Sequence, residues 1–321
     1  MSVYNTSLET LNVYQEPNKY DNELINPELD LKYGYSLCLD IMKENSKSFY
    51  FASQSLSEEQ RNSVAALYAF SRLVDDIVDE SNLEKNEVNS ILDHVKDQIT
   101  KLSIQGYTSD NIYLKTFGHT IRKHNIPVEY IHDLIEGVRM DLIKKEYYTD
   151  EELDLYMYRV ASTIGLMMTY IMMDNPSGDV LARAKDLGQA MQLTNILRDI
   201  KEDYHKGRIY LPYETRLQYG VTKEDLEGTE VSPKLVKMLE YEIRRAKGMY
   251  GVAELGIFDL PKEAQFTIYV ASKVYGDILN QIKRNKFQVL NKRAVVSKPR
   301  KLFIWLKAKV YFTKRYFMNF I

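Results

Sequence analysis

The chain has 321 residues, 45% of them hydrophobic and 27% charged, which is enough apolar mass for a substantial core but not a length that chooses between one domain and two. A formal net charge of −2 argues against a dedicated nucleic-acid binder, so no nucleic acid is expected among its partners. The one cysteine, Cys38, excludes an intramolecular disulfide framework, fits a reducing compartment and reads as a small buried hydrophobe.

Residues 1–30 are polar, rich in Asn and Glu and weakly periodic, and read as an N-terminal tail. They lack the basic start and apolar run of a secretory signal. No stretch reaches the ~18 apolar residues of a membrane span. The expected location is cytoplasmic, free or peripheral on a membrane. From residue 31 onward helical periodicity dominates. In SEEQRNSVAALYAFSRLVDDIVDE, Val64, Leu67, Tyr68, Val74 and Val78 mark one helical face, and Ser57 with Gln60 predicts a capping box at its start. Similar patterns run through 86–102, 110–123, 127–143, 151–173, 178–204, 233–255 and 262–286. Pro127, Pro176, Pro212, Pro233 and Pro261 punctuate them. Strand alternation, internal repeats and Pro/Gly/Ser-rich linkers are missing from the pattern. The economical reading is one all-α domain over 31–300, followed by a basic and aromatic segment over 301–321.

Two acidic patterns carry chemistry. Asp75 and Asp79 are four residues apart in SRLVDDIVDE, so on a helix they share a face with about 5–6 Å between Cβ atoms. Asp199 and Asp203 repeat the spacing in QLTNILRDIKEDYHKGRIYLP, with Asn195 and Gln192 extending the stripe backwards. Isolated acidic pairs of this kind are usually solvated helix faces. Here both pairs sit in apolar helices, neither has a Lys four residues away, and there are two of them. Stacked carboxylates repel unless a cation lies between them. Oxygen-only ligands favour Mg²⁺ or Mn²⁺, which complete their shells with water and phosphate oxygens. Two such stripes facing each other suggest a diphosphate held by bridging metals. Arg72, Arg198, Lys206 and Arg208 lie close in sequence to bind phosphate, although for each alone an ion pair is the commoner role.

These segments resemble the squalene and phytoene synthase family. The resemblance is carried by NSKSFYFAS (45–53), LYAFSRLVDDIVDE (67–80), EGVRMDL (136–142), YMYRVASTIGLM (156–167), QLTNILRDIKEDYHKGRIYLP (192–212) and KRAVVSKPRKL (292–302). It implies an all-α isoprenoid-synthase bundle with a central cavity. It places metal on Asp75, Asp79, Asn195, Asp199 and Asp203, with Gln192 beside them. It places diphosphate on Ser46, Ser48, Arg72, Arg208, Tyr275 and Arg293, and lines the cavity with Tyr156, Val160 and Gly165. Asn45 and Ala161-Ser162 depart from the family's usual His and Ala-Gly.

The implied activity is head-to-head condensation of two geranylgeranyl diphosphates through prephytoene diphosphate to phytoene, a step of carotenoid biosynthesis, with Mg²⁺ or Mn²⁺ and without NADPH. Small residues at Ser53 and Ala65 favour the longer substrate. The alternatives are a dehydrosqualene or squalene synthase using farnesyl diphosphate, and a non-catalytic relative acting as an assembly factor. Phe49, Tyr68 and Tyr156 are candidates for stabilising carbocations through their ring faces, or for plain core packing. The segment 301–321 mixes Lys and Arg with aromatics and contains no acid. It reads either as an interfacial membrane segment with Trp305 at headgroup level or as a last helix packed on the body.

Overall fold

The computed structural model describes residues 27–79, 81 and 83–318, and they form two compact units divided after Leu142. Most of the N-terminal tail lies outside the described residues; those at 27–30 already belong to the first helix. Among the described residues regular structure is helical, with one isolated parallel bridge between Glu146 and Ile209.

The first unit contains α1 (Pro27–Asn45), α2 (Lys47–Ser53), α3 (Glu58–Asp79), α4 (Lys85–Leu102), α5 (Ile112–His124) and α6 (Val128–Ile143), whose last residue reaches the second unit. Its core forms where α1 and α5 pack against α3. The apolar stripe of α3 is buried there, with Val64, Leu67, Phe70, Leu73, Val74 and Ile77 shielded from water. Phe70 stacks on Phe117 with ring centroids 4.5 Å apart. At the start of α3 the backbone amide of Gln60 donates to Ser57 Oγ at 3.2 Å. The Gln60 side chain meets the Ser57 hydroxyl rather than its backbone, so half of the expected box forms. Cys38 is fully buried, and burial pushes its thiol up to about 12, so it stays protonated and inert.

The second unit contains α7 (Asp150–Met157), a π-helical turn (Tyr158–Ser162), α8 (Thr163–Met172), α9 (Gly178–His205), α10 (Tyr213–Tyr219), α11 (Lys223–Glu227), α12 (Pro233–Gly256), a 3₁₀ turn (Ile257–Asp259), α13 (Lys262–Arg284) and α14 (Lys298–Met318). The long helix α9 is its axis: α8, the π turn, α12 and α13 all pack on it. The caps follow sequence chemistry. Ser177, Thr222 and Ser232 each accept a backbone amide at an N-terminus, and Pro233 occupies the first turn of α12.

The periodic run over 151–173 is therefore not one α-helix. At Tyr158–Ser162 it widens into a π turn, which seats directly on α9. The Ser162 hydroxyl donates to the Lys185 carbonyl at 2.8 Å, which satisfies that buried polar group. Gly188 makes the approach possible. A Cβ there would lie 2.6 Å from Ser162 Cα and 2.7 Å from the Ala161 carbonyl oxygen. Both obstacles are backbone and cannot rotate away. Gly188→Ala is expected to destabilise the protein by about 1–3 kcal/mol despite alanine's better helix propensity, read as a lowered midpoint in urea unfolding with unchanged slope.

Candidate active site

In the first unit the acidic stripe closes α3, where Asp75 and Asp79 are solvent-accessible and Asp76 is buried. Asp76 is taken by Arg72, whose guanidinium lies 2.6 Å from its carboxylate. Arg72 is thus held one turn before the ladder. Water touches Asp75, but dense protein surrounds it. That burial is the largest influence on its carboxyl, with the charges of Asp79 and Asp141 adding to it and Arg72 opposing, and together they push it up to about 7. Asp141 comes from α6 and is a third carboxylate at this site. Nothing in its own helix marked it, because it has no acidic neighbour one turn away; its only signal was its place in the segment EGVRMDL. Phe49 and Tyr68 stack with centroids 6.0 Å apart. Ser46 sits at the N-terminal boundary of α2 with no side-chain capping bond. The side chain of Ser48 lies outside the described residues.

In the second unit Gln192, Asn195, Asp199 and Asp203 run along one face of α9. Asn195 Nδ2 donates to Gln192 Oε1 at 3.4 Å, and Asn195 Oδ1 is buried with no hydrogen-bond partner among the described residues. Two guanidiniums grip Asp199. Arg198 bonds it from the same helix, and Arg293 reaches it from the segment before α14 through bonds of 2.9 and 3.1 Å. Burial alone would raise the Asp199 carboxyl, but the two arginines outweigh it and hold the group below the usual carboxylate range. Arg293 is 55% exposed along its side chain, so it can exchange partners at small cost. Burial raises the Tyr275 phenol, with the Arg198 charge acting in the other direction, which places this tyrosine within electrostatic reach of the clamp.

Asp203 is positioned by the way α9 ends. Gly207 has φ +74°. The amide of Arg208 bonds the Asp203 carbonyl at 2.8 Å, and that of Gly207 bonds the Tyr204 carbonyl at 2.9 Å. This is a Schellman cap, and it turns Arg208 back beside the last ladder carboxylate. Asp203 and Arg208 line one narrow crevice with Ile200, Tyr210 and Leu226. The GRIYLP strip then runs along residues 145–147, with the Ile209 amide on the Lys145 carbonyl at 2.9 Å and the Tyr147 amide on the Ile209 carbonyl at 3.3 Å. An ion pair between Arg216 and Glu146 locks it. Tyr156 is buried in this frame. Its ring stacks on Tyr210 at 4.9 Å and its hydroxyl donates to the Tyr210 hydroxyl at 3.2 Å. Val160 lies in the π turn, and Gly165 packs where a Cβ would stand 2.9 Å from the Ala184 carbonyl oxygen.

The donor chemistry fits a hard divalent cation. All ladder groups present oxygen, Asn195 offers a buried unpaired carbonyl, and carboxylates crowd Asp75. Among the described residues no three His, Cys, Asp or Glu side chains are grouped as a metal cage.

Helical architecture and aspartate ladders define the class, an isoprenoid-synthase fold. The chain belongs to the squalene/phytoene synthase family, whose profile matches residues 42–300, and it is therefore a prenyltransferase. The 15-cis-phytoene synthase of a Synechocystis species is 32% identical over 299 residues, covering 88% of each chain. Phytoene synthase 2 of Zea mays, a chloroplastic enzyme, is 34% identical over 274 residues, covering 84% of this chain and 67% of its own. Among solved structures, a dehydrosqualene synthase in complex with ligand superposes with a TM-score of 0.83 at 28% identity, covering 90% of this chain and 100% of the other. A squalene synthase from Alicyclobacillus acidocaldarius shares the fold, with a TM-score of 0.74 at 23% identity over 81% of this chain and 96% of the other.

The raised Asp75 carboxyl has a defined stability signature. Its folded pKa of about 7 exceeds the unfolded value of 3.8, so the native state holds a proton that the unfolded chain releases in between. Stability is lost as pH rises through that window. Without added metal, Asp75→Asn is expected to melt higher than the parent at pH 8, with the difference shrinking as pH falls towards 4. A constant difference across that range in calorimetric melts would show that Asp75 does not titrate abnormally.

Proposed function

We propose that this protein joins two molecules of geranylgeranyl diphosphate head to head, through prephytoene diphosphate, to make phytoene for carotenoid biosynthesis. The observation that carries the reading is the 32% identity to a 15-cis-phytoene synthase along 88% of both chains, together with both aspartate ladders intact. In this reading the segment 31–300 is the catalytic body, and the α3 and α9 ladders both serve the one reaction. Asp75, Asp79, Asn195, Asp199 and Asp203 would hold Mg²⁺ or Mn²⁺, and NADPH plays no part. When bound, the metal neutralises the diphosphate leaving group so that its C–O bond ionises.

The chain's own residues supply the rest. Ser46, Ser48, Arg72, Arg208, Tyr275 and Arg293 bind and orient the diphosphate, with Gln192 supporting Asn195. Arg293, bonded to Asp199 and exposed, would be free to turn to the phosphate if Asp199 took a metal. The double bond of the second substrate attacks the allylic cation, and proton loss closes a cyclopropane. A second ionisation, with loss of the remaining diphosphate, and rearrangement would then give the joined hydrocarbon, and the departing diphosphate would accept the last proton, so no basic side chain is required. Tyr156, Val160 and Gly165 line the cavity that keeps water from the cations, and the stacked Phe49 and Tyr68 offer ring faces worth about 0.5–2 kcal/mol each.

A second reading, condensation of two farnesyl diphosphates, is favoured by the likeness to a dehydrosqualene synthase, which extends over the whole of that chain. Small side chains at Ser53 and Ala65 favour the longer substrate. No helix among the described residues is long and apolar enough to cross a membrane. We place the protein in the cytoplasm, with the 301–321 segment as a peripheral membrane contact.

Given equal C15 and C20 diphosphates with Mg²⁺, the protein is expected to release mainly a C40 hydrocarbon; exclusive C30 product would select the farnesyl reading. Asp79→Ala and Asp203→Ala are each expected to cut turnover at least 10³-fold while far-ultraviolet circular dichroism is unchanged. Normal turnover in either would show that its ladder holds no metal.

A further inference from the structure

Among the described residues, helix α14 packs on the second unit through one face. Ile304, Ala308 and Phe312 are buried, and Trp305 meets Phe266 edge-on at 5.9 Å. Arg300 bonds Asp277 through 2.9 and 3.0 Å contacts, and the Arg315 guanidinium lies 3.8 Å from the Phe258 ring centroid. Trp305, a natural anchor for a membrane interface, is therefore spent on the body of the protein.

The opposite face is apolar as well. Leu302, Phe303, Leu306 and Val310 are 53%, 54%, 49% and 56% exposed. At about 100° per residue these four fall in one stripe centred opposite Ala308. Lys298 and Lys309 border the stripe on one side, and Lys307 and Lys314 on the other. No Asp or Glu occurs anywhere in α14. An apolar stripe with basic residues along both edges, and no acid to neutralise them, matches an anionic lipid surface. The apolar side chains enter the acyl boundary while the lysines extend to the headgroups. A second copy of the same face would oppose lysine to lysine.

We infer that the outer face of α14 docks the protein onto anionic phospholipid bilayers through Leu302, Phe303, Leu306 and Val310. This deepens the proposed membrane contact from a segment to a defined face, and it rests on the helix rather than on the choice of prenyl substrate. The face lies opposite the body-packed face, so docking leaves α14 seated on the second unit.

The test is co-sedimentation of the full chain with phosphatidylcholine vesicles, with and without one third phosphatidylglycerol, alongside turnover in detergent. The parent is expected to partition about tenfold more strongly onto the anionic vesicles, and less so as salt is raised. The combined variant Leu302→Ser, Phe303→Ser, Leu306→Ser and Val310→Ser is expected to lose that binding at least tenfold while its melting temperature and detergent turnover stay at parental values. Lys307→Glu with Lys309→Glu and Lys314→Glu is expected to abolish the preference for anionic lipid. The inference is overturned if the serine variant binds like the parent. It is also overturned if the parent ignores both vesicles, or if the serine substitutions instead dissolve a dimer seen by sedimentation. Loss of prenyl turnover in the parent with vesicle binding intact would count against the proposed reaction and not against the docking face.

Discussion

Carboxylates set one helical turn apart repel each other, and a fold that keeps two such ladders must supply positive charge to them. The two units meet this demand differently. In the first, the repulsion is left standing at Asp75, where burial and the charges of Asp79 and Asp141 favour the protonated acid. In the second, Arg198 and Arg293 neutralise Asp199 and keep it ionised. The first ladder crowds its carboxylates, and the second holds one of its carboxylates with two arginines. In the proposed reaction the exposed Arg293 would leave Asp199 for the phosphate if the ladder held a metal.

The rest of the second unit serves to hold α9 in register. The π turn gains its seat from Gly188, and the Ser162 hydroxyl bonds across to Lys185. The Schellman cap at Gly207 fixes where the ladder ends and where Arg208 begins. The GRIYLP strip is held by backbone bonds to residues 145–147 and by the Glu146–Arg216 pair. Tyr156 and Tyr210 fill the space behind it. Displacing any of these parts would move an aspartate or an arginine.

Most helices were legible in the sequence because each buries one stripe at a period of 3.6 residues, and the observed ends fall close to the capping residues and prolines that mark them. Spacing also revealed both ladders, since Asp75 with Asp79 and Asp199 with Asp203 depend only on local geometry. What the sequence hid was non-local or out of phase. The π turn at Tyr158–Ser162 shifts the helical phase without interrupting the apolar pattern. Asp141 joins the first ladder through tertiary packing of α6. The clamp on Asp199 unites Arg198, a neighbour whose backbone position points to another face, with Arg293 from a segment lacking any periodicity. In α14 the contiguous run Leu302–Leu306 could not say which side meets the protein; the structure shows apolar residues on both.

The central claim is that the proposed reaction needs both ladders to bind diphosphate with its metal. It is tested most directly by calorimetric binding of a non-hydrolysable thiodiphosphate analogue of the prenyl substrate, with and without Mg²⁺, to the parent, Asp79→Ala, Asp203→Ala and the double variant. A joint requirement predicts that each single substitution removes nearly all of the Mg²⁺-dependent affinity and that the double variant is no weaker than either. Losses that simply add, each ladder keeping its own metal-dependent share, would contradict it.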